Sequence, residues 1–255
     1  MFVAVRDVTL RHAGIDCLRA PQQAGVDVVD LLLDRELNSI RFEDPSGRPY
    51  RLSDASERER FRGDLERAGE GWPTFWCVDP LDGTKEFVKG LGEYTVNIAL
   101  VEDGAAVLGV IYVPAKDVLY YAATGQGAWK VEGEGRPAPI RASDCQVPRS
   151  AVVSRSHLSK ETEDFLAELG ITDTVSHGSS IKICAVAEGK ADIYPRHGPT
   201  CLWDTAAGSA IAIEAGCRVI DLEGEPLSYN PADGLKRPGF IVYPRTVKLT
   251  VGPSS

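Results

Sequence analysis

The chain has 255 residues, 43% hydrophobic and 25% charged, with a formal net charge of −9 and a pI near 5.0. That composition excludes a disordered or low-complexity protein and gives a core large enough for one domain or two modest lobes. The acidic balance argues against a nucleic-acid polymer or an anionic membrane surface as partner, because both reward a basic face.

No run of about 18 consecutive apolar residues is present, and the N-terminus carries no long apolar segment, so membrane spanning and secretion are not expected. The six cysteines (Cys17, Cys77, Cys145, Cys184, Cys201, Cys217) show no C-x-x-C spacing. Several lie in apolar surroundings, which predicts buried free thiols in a reducing cytoplasm rather than disulfides or zinc ligands.

The chain opens with a segment that is hard to place. Its acids include Asp30, in Val26-Asp27-Val28-Val29-Asp30, and Glu43, in Phe42-Glu43-Asp44 ahead of Pro45-Ser46-Gly47. Glu43 reads equally well as a solvated loop acid. Residues 54–70 are polar enough for an exposed helix or loop. Phe75-Trp76-Cys77-Val78 then reads as a short buried strand, and it delivers the chain into Asp79-Pro80-Leu81-Asp82-Gly83-Thr84-Lys85-Glu86-Phe87. Asp, Pro and Gly are ordinary turn residues. Two carboxylates spaced three apart, with the Leu81 carbonyl between them, also form the oxygen-only donor set that a hard divalent cation prefers.

Beyond this loop the pattern turns to strands at Thr95–Val101, Ala106–Val113, Val118–Ala122 and Ala128–Val131, with Glu102-Asp103-Gly104 as a hairpin signal. A boundary between lobes is expected within 137–148, dividing the chain into an N-terminal α+β lobe (1–147) and a C-terminal α/β lobe (148–255). After it, strands at Ala151–Ser154, Thr172–Val175, Ala191–Tyr194, Arg218–Asp221 and Gly239–Val242 alternate with helices at Lys160–Leu169, Ser180–Glu188 and Thr205–Ala215. Trp203 reads as packing. Asp204 stands just ahead of the last helix, where a carboxylate serves as a cap or first-turn acid. Beside Asp79 and Asp82 it is also a candidate third carboxylate of a two-metal phosphatase centre.

These blocks together resemble the superfamily of inositol monophosphatases and fructose bisphosphatases, lithium-sensitive Mg²⁺-dependent phosphatases. The Thr84-Lys85-Glu86-Phe87 continuation is similar to its 3'(2'),5'-bisphosphate nucleotidase branch. So are Tyr94-Thr95-Val96-Asn97-Ile98-Ala99-Leu100, Ser154-Arg155-Ser156-His157, Gly178-Ser179-Ser180-Ile181-Lys182, and Tyr194-Pro195-Arg196-His197-Gly198-Pro199-Thr200. The resemblance covers roughly residues 75–243 in family order and implies an α-β-α-β-α sandwich. It implies two or three Mg²⁺ ions held by Glu43, Asp79, the Leu81 carbonyl, Asp82 and Asp204. Thr84, with Asp30 or another upstream acid, would orient the attacking water. Gly83 and Thr84 would offer backbone N–H groups to a phosphate.

Ser179, Lys182, Arg196 and His157 are the positions implied to recognise the nucleotide. Lys182 also reads as one face of an apolar helix, Arg196 as a strand-end cap and His157 as a turn residue. The implied substrate is adenosine 3',5'-bisphosphate, with adenosine 3'-phosphate 5'-phosphosulfate as a second, and the implied assembly is a monomer or homodimer. The rival readings are an inositol monophosphatase or sugar bisphosphatase, and a catalytically impaired nucleotide-binding protein.

Overall fold

A computed structural model describes residues 3–5, 56, 73–155 and 158–249. Asp30, Glu43, His157 and Cys17 lie outside the described residues. The first half builds a seven-stranded antiparallel sheet whose strands lie side by side in chain order. They are β1 (Val3–Val5), β2 (Thr74–Asp82), β3 (Thr95–Glu102), β4 (Ala105–Val113), β5 (Val118–Ala123), β6 (Ala128–Glu132) and β7 (Ala138–Ile140), with the five-residue helix α1 (Thr84–Val88) between β2 and β3. Asp103 and Gly104 both take positive φ, 48° and 77°. Two such residues make the tight loop that matches the twist of a β3–β4 hairpin.

β2 departs from the short strand expected at 75–78, because it runs on through the acidic segment to Asp82. Its pairing with β3 slips between Asp79 and Asp82. That irregularity is what admits Pro80, which has no N–H to give the ladder.

The second half adds β8 (Ser150–Ser154), α2 (Lys160–Glu168), β9 (Asp173–His177), α3 (Ile181–Ala187), β10 (Tyr194–Arg196), β11 (Thr200–Cys201), α4 (Leu202–Glu214), β12 (Cys217–Ile220), β13 (Lys236–Arg237) and β14 (Phe240–Pro244). β8 and β9 pair in parallel, β11 pairs with β13, and a three-stranded sheet runs β10-β14-β12. The strand expected at 191–194 is displaced to 194–196, with Ile193 making only an isolated bridge to Ala151. β10 is an edge strand, the position where Pro195 is tolerated.

Helices α3 and α4 explain the layering. Every residue of α3 is buried, as are Leu202 and 205–212 of α4. A helix apolar nearly all round must be covered on both sides. The pair lies between the seven-stranded sheet, which α4 contacts through β2 to β5, and the smaller sheet. The main core therefore joins Phe75, Ala99 and Ile111 of the large sheet to Ile183, Leu202 and Ile211 of the helices and Val242 of β14. Full burial of each such aliphatic side chain contributes about 1.5–3 kcal/mol. A second cluster of Val153, Leu166, Ile171, Ile220 and Ile241 packs α2 against the far face of the small sheet. Among the described residues, sheet, helix pair, sheet and helix thus follow one another, the last four layers of the α-β-α-β-α order expected.

α4 approaches the large sheet unusually closely. A Cβ on Gly109 of β4 would lie 2.2 Å from the Ala207 carbonyl oxygen, so only glycine fits there. Cys77, Cys184 and Cys217 are buried free thiols, and Cys145 and Cys201 are free and partly buried.

Candidate active site

Three carboxylates converge from two distant parts of the chain. Asp79 and Asp82 stand on either side of the bulge in β2. Gly83 follows at φ +85°, a conformation L side chains rarely adopt, and turns the chain into α1. Asp204 is in the first turn of α4. One carboxylate oxygen from each of Asp79, Asp82 and Asp204 lies within 4.8 Å of the others.

Each carboxylate has one oxygen held by the protein. Asp79 Oδ1 accepts the Leu81 N–H at 3.0 Å. Asp204 Oδ2 accepts the Cys201 N–H at 3.0 Å and the Thr200 hydroxyl at 3.1 Å. Asp82 Oδ2 accepts from Ser180 Oγ at 2.8 Å, and from Thr95 Oγ1 and Asn97 Nδ2 at 3.4 Å each. Asp204 therefore is a helix cap, as one reading had it, but the cap uses only one of its two oxygens. Carboxylates clustered in this way are the hard oxygen donors suited to a divalent cation such as Mg²⁺.

The electrostatics point the same way. Burial first, and then the charge of Asp82, push the Asp79 carboxyl up to about 7. The same two causes, in the same order, raise Asp204. Buried or half-buried carboxylates this close together are unfavourable without a positive charge among them.

A cleft of about 220 Å³ opens in front of Asp82, Gly83, Thr84 and Asp204. Ser179, Lys182 and Arg196 also line it, and Tyr194 and Phe240, edge to face at 5.2 Å, form its aromatic part. Lys182 is 5% exposed, donates to the Ser179 carbonyl at 2.5 Å and sits 5.6 Å above the Tyr194 ring. Among the described residues it has no carboxylate partner. Arg196 donates to the Pro199 carbonyl at 2.8 Å, orienting its guanidinium along the wall. Ser179 takes φ 45°, and its buried Oγ has no hydrogen-bond partner. The Thr84 hydroxyl lies 3.4 Å from the Leu81 carbonyl. Trp203 packs against the main core, as expected.

The sequence-predicted residues Asp79, Leu81, Asp82, Gly83, Thr84, Ser179, Lys182, Arg196 and Asp204 are thus brought to one place. Asp30, Glu43 and His157 fall outside the described residues.

Several supporting residues were not singled out from sequence. Ser180, Asn97, Thr95 and Thr200 hold the carboxylates. Glu93 is a buried acid that accepts two bonds from Arg155, at 2.9 and 3.0 Å, one from Gly178 N–H at 2.9 Å, and contacts His177 Nδ1 at 3.2 Å. Burial alone would raise Glu93, but Arg155, His177 and the Gly178 N–H outweigh it and hold the carboxyl at about 2. This clamp ties the start of β3 to the turn carrying Ser179. The available signal was a polar residue inside an apolar run, as with Asn97 in Val96-Asn97-Ile98-Ala99-Leu100.

The inositol monophosphatase family matches residues 53–247. The chain belongs to the inositol monophosphatase family. It is 53% identical over 171 residues to the 3'(2'),5'-bisphosphate nucleotidase CysQ of Salmonella typhimurium, covering 67% of this chain and 68% of that protein. It is 52% identical over 171 residues to CysQ of Escherichia coli K12, with the same coverage. Among solved structures, CysQ from Bacteroides thetaiotaomicron superposes with a TM-score of 0.64 at 43% identity, covering 79% of this chain and 87% of that one. Inositol monophosphatase family enzymes are phosphatases that use divalent metal ions, and this member carries a cluster of acidic residues, Asp79, Asp82 and Asp204. Asp30 and Glu43 precede the matched residues. No described helix is long and apolar enough to cross a membrane.

Proposed function

We propose that this chain is a Mg²⁺-dependent 3'(2'),5'-bisphosphate nucleotidase that removes the 3'-phosphate of adenosine 3',5'-bisphosphate, giving AMP and phosphate. Adenosine 3'-phosphate 5'-phosphosulfate, which carries the same 3'-phosphate, is a second substrate. The observation that carries this reading is the polarity of one cleft. A trio of carboxylates and a buried lysine without a carboxylate partner among the described residues belong to the same cleft. A ligand with two phosphates answers both, one phosphate through cations on the acids and the other on Lys182 and Arg196. Arginine can hold two phosphate oxygens at once, and a buried ammonium is costly until an anion pairs with it. The CysQ relatives, named for this activity, support the same assignment.

Asp79, the Leu81 carbonyl, Asp82 and Asp204 would hold two or three Mg²⁺ ions, joined by Glu43 from the upstream segment. When bound, such ions withdraw charge from the phosphate, lower the pKa of a water and steady the leaving alkoxide. The Thr84 hydroxyl orients the attacking water, with Asp30 as the acid behind it. The N–H groups of Gly83 and Thr84 face the scissile phosphate, and Ser179 and His157 complete the grip on the nucleotide. No residue needs to carry a covalent phosphate. In this reading the lobes at 1–147 and 148–255 meet at the cleft, and the enzyme works in the cytoplasm as a monomer or homodimer.

The test is phosphate release from adenosine 3',5'-bisphosphate and from inositol 1-phosphate, with and without Mg²⁺. Mg²⁺-dependent release from the nucleotide, well above that from the inositol ester, is the expected result. Equal or greater release from inositol 1-phosphate, or none from either, refutes the assignment.

A further inference from the structure

We infer that Ser180, backed by Asn97, is a positioning residue: it sets the Asp82 carboxylate for a cation and couples that carboxylate to the helix carrying Lys182. The inference rests on the metal-dependent reading above.

Ser180 occupies the N-cap position of α3, where a serine hydroxyl ordinarily accepts an N–H from its own helix. Here it makes no such bond, and its backbone is already helical, φ −72° and ψ −4°. The hydroxyl is turned away into the carboxylate cluster. Its Oγ lies 2.8 Å from Asp82 Oδ2, 2.9 Å from the Asp204 carbonyl and 2.8 Å from Asn97 Nδ2. The amide donates to Oγ, so the single hydroxyl proton is left for an acceptor, and the carboxylate is the stronger one.

Asn97 is 1% exposed and reaches in from β3. Its amide also points at Asp82 Oδ2. In that orientation its own Oδ1 is buried with no hydrogen-bond partner. Turning the amide over would set Oδ1 against the Asp82 carboxylate, with no hydrogen between two acceptors. The side chain therefore serves the carboxylate at the expense of its own satisfaction, which is not how a residue kept for stability alone is arranged.

Together Ser180, Thr95 and Asn97 occupy Oδ2 of Asp82 and leave Oδ1 for ligation. Ser180 also sits two residues before Lys182, in the turn that begins α3. A shift of that helix would move both the lysine wall and the hydrogen bond that aims Asp82.

The experiment is titration of the metal-free chain with Mn²⁺, followed by electron paramagnetic resonance without substrate. Removing a hydrogen-bonding partner of a metal ligand typically costs about 10–100-fold in affinity, so Ser180→Ala is expected to weaken Mn²⁺ binding at least tenfold. The Mg²⁺ concentration giving half-maximal turnover should rise by a similar factor, with kcat at saturating Mg²⁺ changed far less. Ser209→Ala removes a buried hydroxyl from α4, outside the carboxylate cluster, and is expected to bind Mn²⁺ like the wild type. Should Ser180→Ala not fold, Ser180→Cys keeps the volume, loses the strong donor and reads the same shift. Mn²⁺ uptake by the wild type with an unshifted titration in the Ser180 variant overturns this inference alone. No uptake by the wild type overturns the metal-dependent reading and this inference with it.

Discussion

Replacing Asp82 with asparagine should abolish turnover and yet make the metal-free chain harder to unfold. Asp79, Asp82 and Asp204 present carboxylate oxygens within 4.8 Å of one another. At that separation, with an effective dielectric constant of about 20, each pair of unit charges repels by about 3–4 kcal/mol. Asp82→Asn removes the repulsion on both neighbours. Its amide oxygen can still accept from Ser180, so the loss in hydrogen bonding is about 1–2 kcal/mol. That leaves about 4–7 kcal/mol, which solvent at the open cleft screens to about half, so the net gain expected at pH 8 without metal is about 2–4 kcal/mol, roughly a 1 M rise in the urea midpoint. The pH dependence follows from Asp79, whose carboxyl is raised from 3.8 to about 7. Between those values the folded chain binds a proton that the unfolded chain does not, so wild-type stability falls as pH rises from about 4 through about 7. At pH 5 Asp79 is already neutral, so the asparagine relieves only the repulsion on Asp204 and the gain is smaller. Urea unfolding in EDTA at pH 5 and pH 8 measures both effects, and added Mg²⁺ should stabilise the wild type but not the variant. An Asp82→Asn chain that unfolds no later than the wild type at pH 8, or gains equally at both pH values, refutes the reasoning.

Glu93→Gln should flatten the acid limb of stability. Glu93 is held at about 2, below its ordinary 4.5, so its contribution is present above pH 4.5 and fades as pH falls toward 2. Acid unfolding followed by circular dichroism should show a steeper loss in the wild type than in the variant across that window. Gly109→Ala should cost about 3 kcal/mol or more, because its methyl carbon would meet the Ala207 carbonyl oxygen at 2.2 Å. Gly198→Ala, with open space at the same test, should leave the melting temperature nearly unchanged in the same calorimetric comparison.

Much of this arrangement could be read from residue patterns. The alternating and apolar runs from Thr95 onward became β3 to β6 within a residue or so, and Asp103-Gly104 formed its hairpin loop. Local signals failed where tertiary contacts decide. Pro80 argues against a strand, yet β2 passes through it because the bulge lifts that position out of the ladder. β11 and β13 are two residues each and exist only by pairing with each other. Ser180 carries the mark of a helix cap, and nothing nearby in sequence reveals that its hydroxyl turns to Asp82 instead. The converse held for Asp204, where cap and candidate ligand are two uses of one carboxylate.

The close seating of α4 on β4 also bears on the order in which the protein acquires its chemistry. Asp204 enters the acidic trio only once α4 has docked on the large sheet, and Gly109 leaves room for that close approach. A partly folded chain therefore offers a cation two carboxylates at most among the described residues. Ions that need all three recognise only the completed protein, so their whole binding energy goes to the native state. Metal uptake during refolding would accordingly report the docking of α4 on the large sheet.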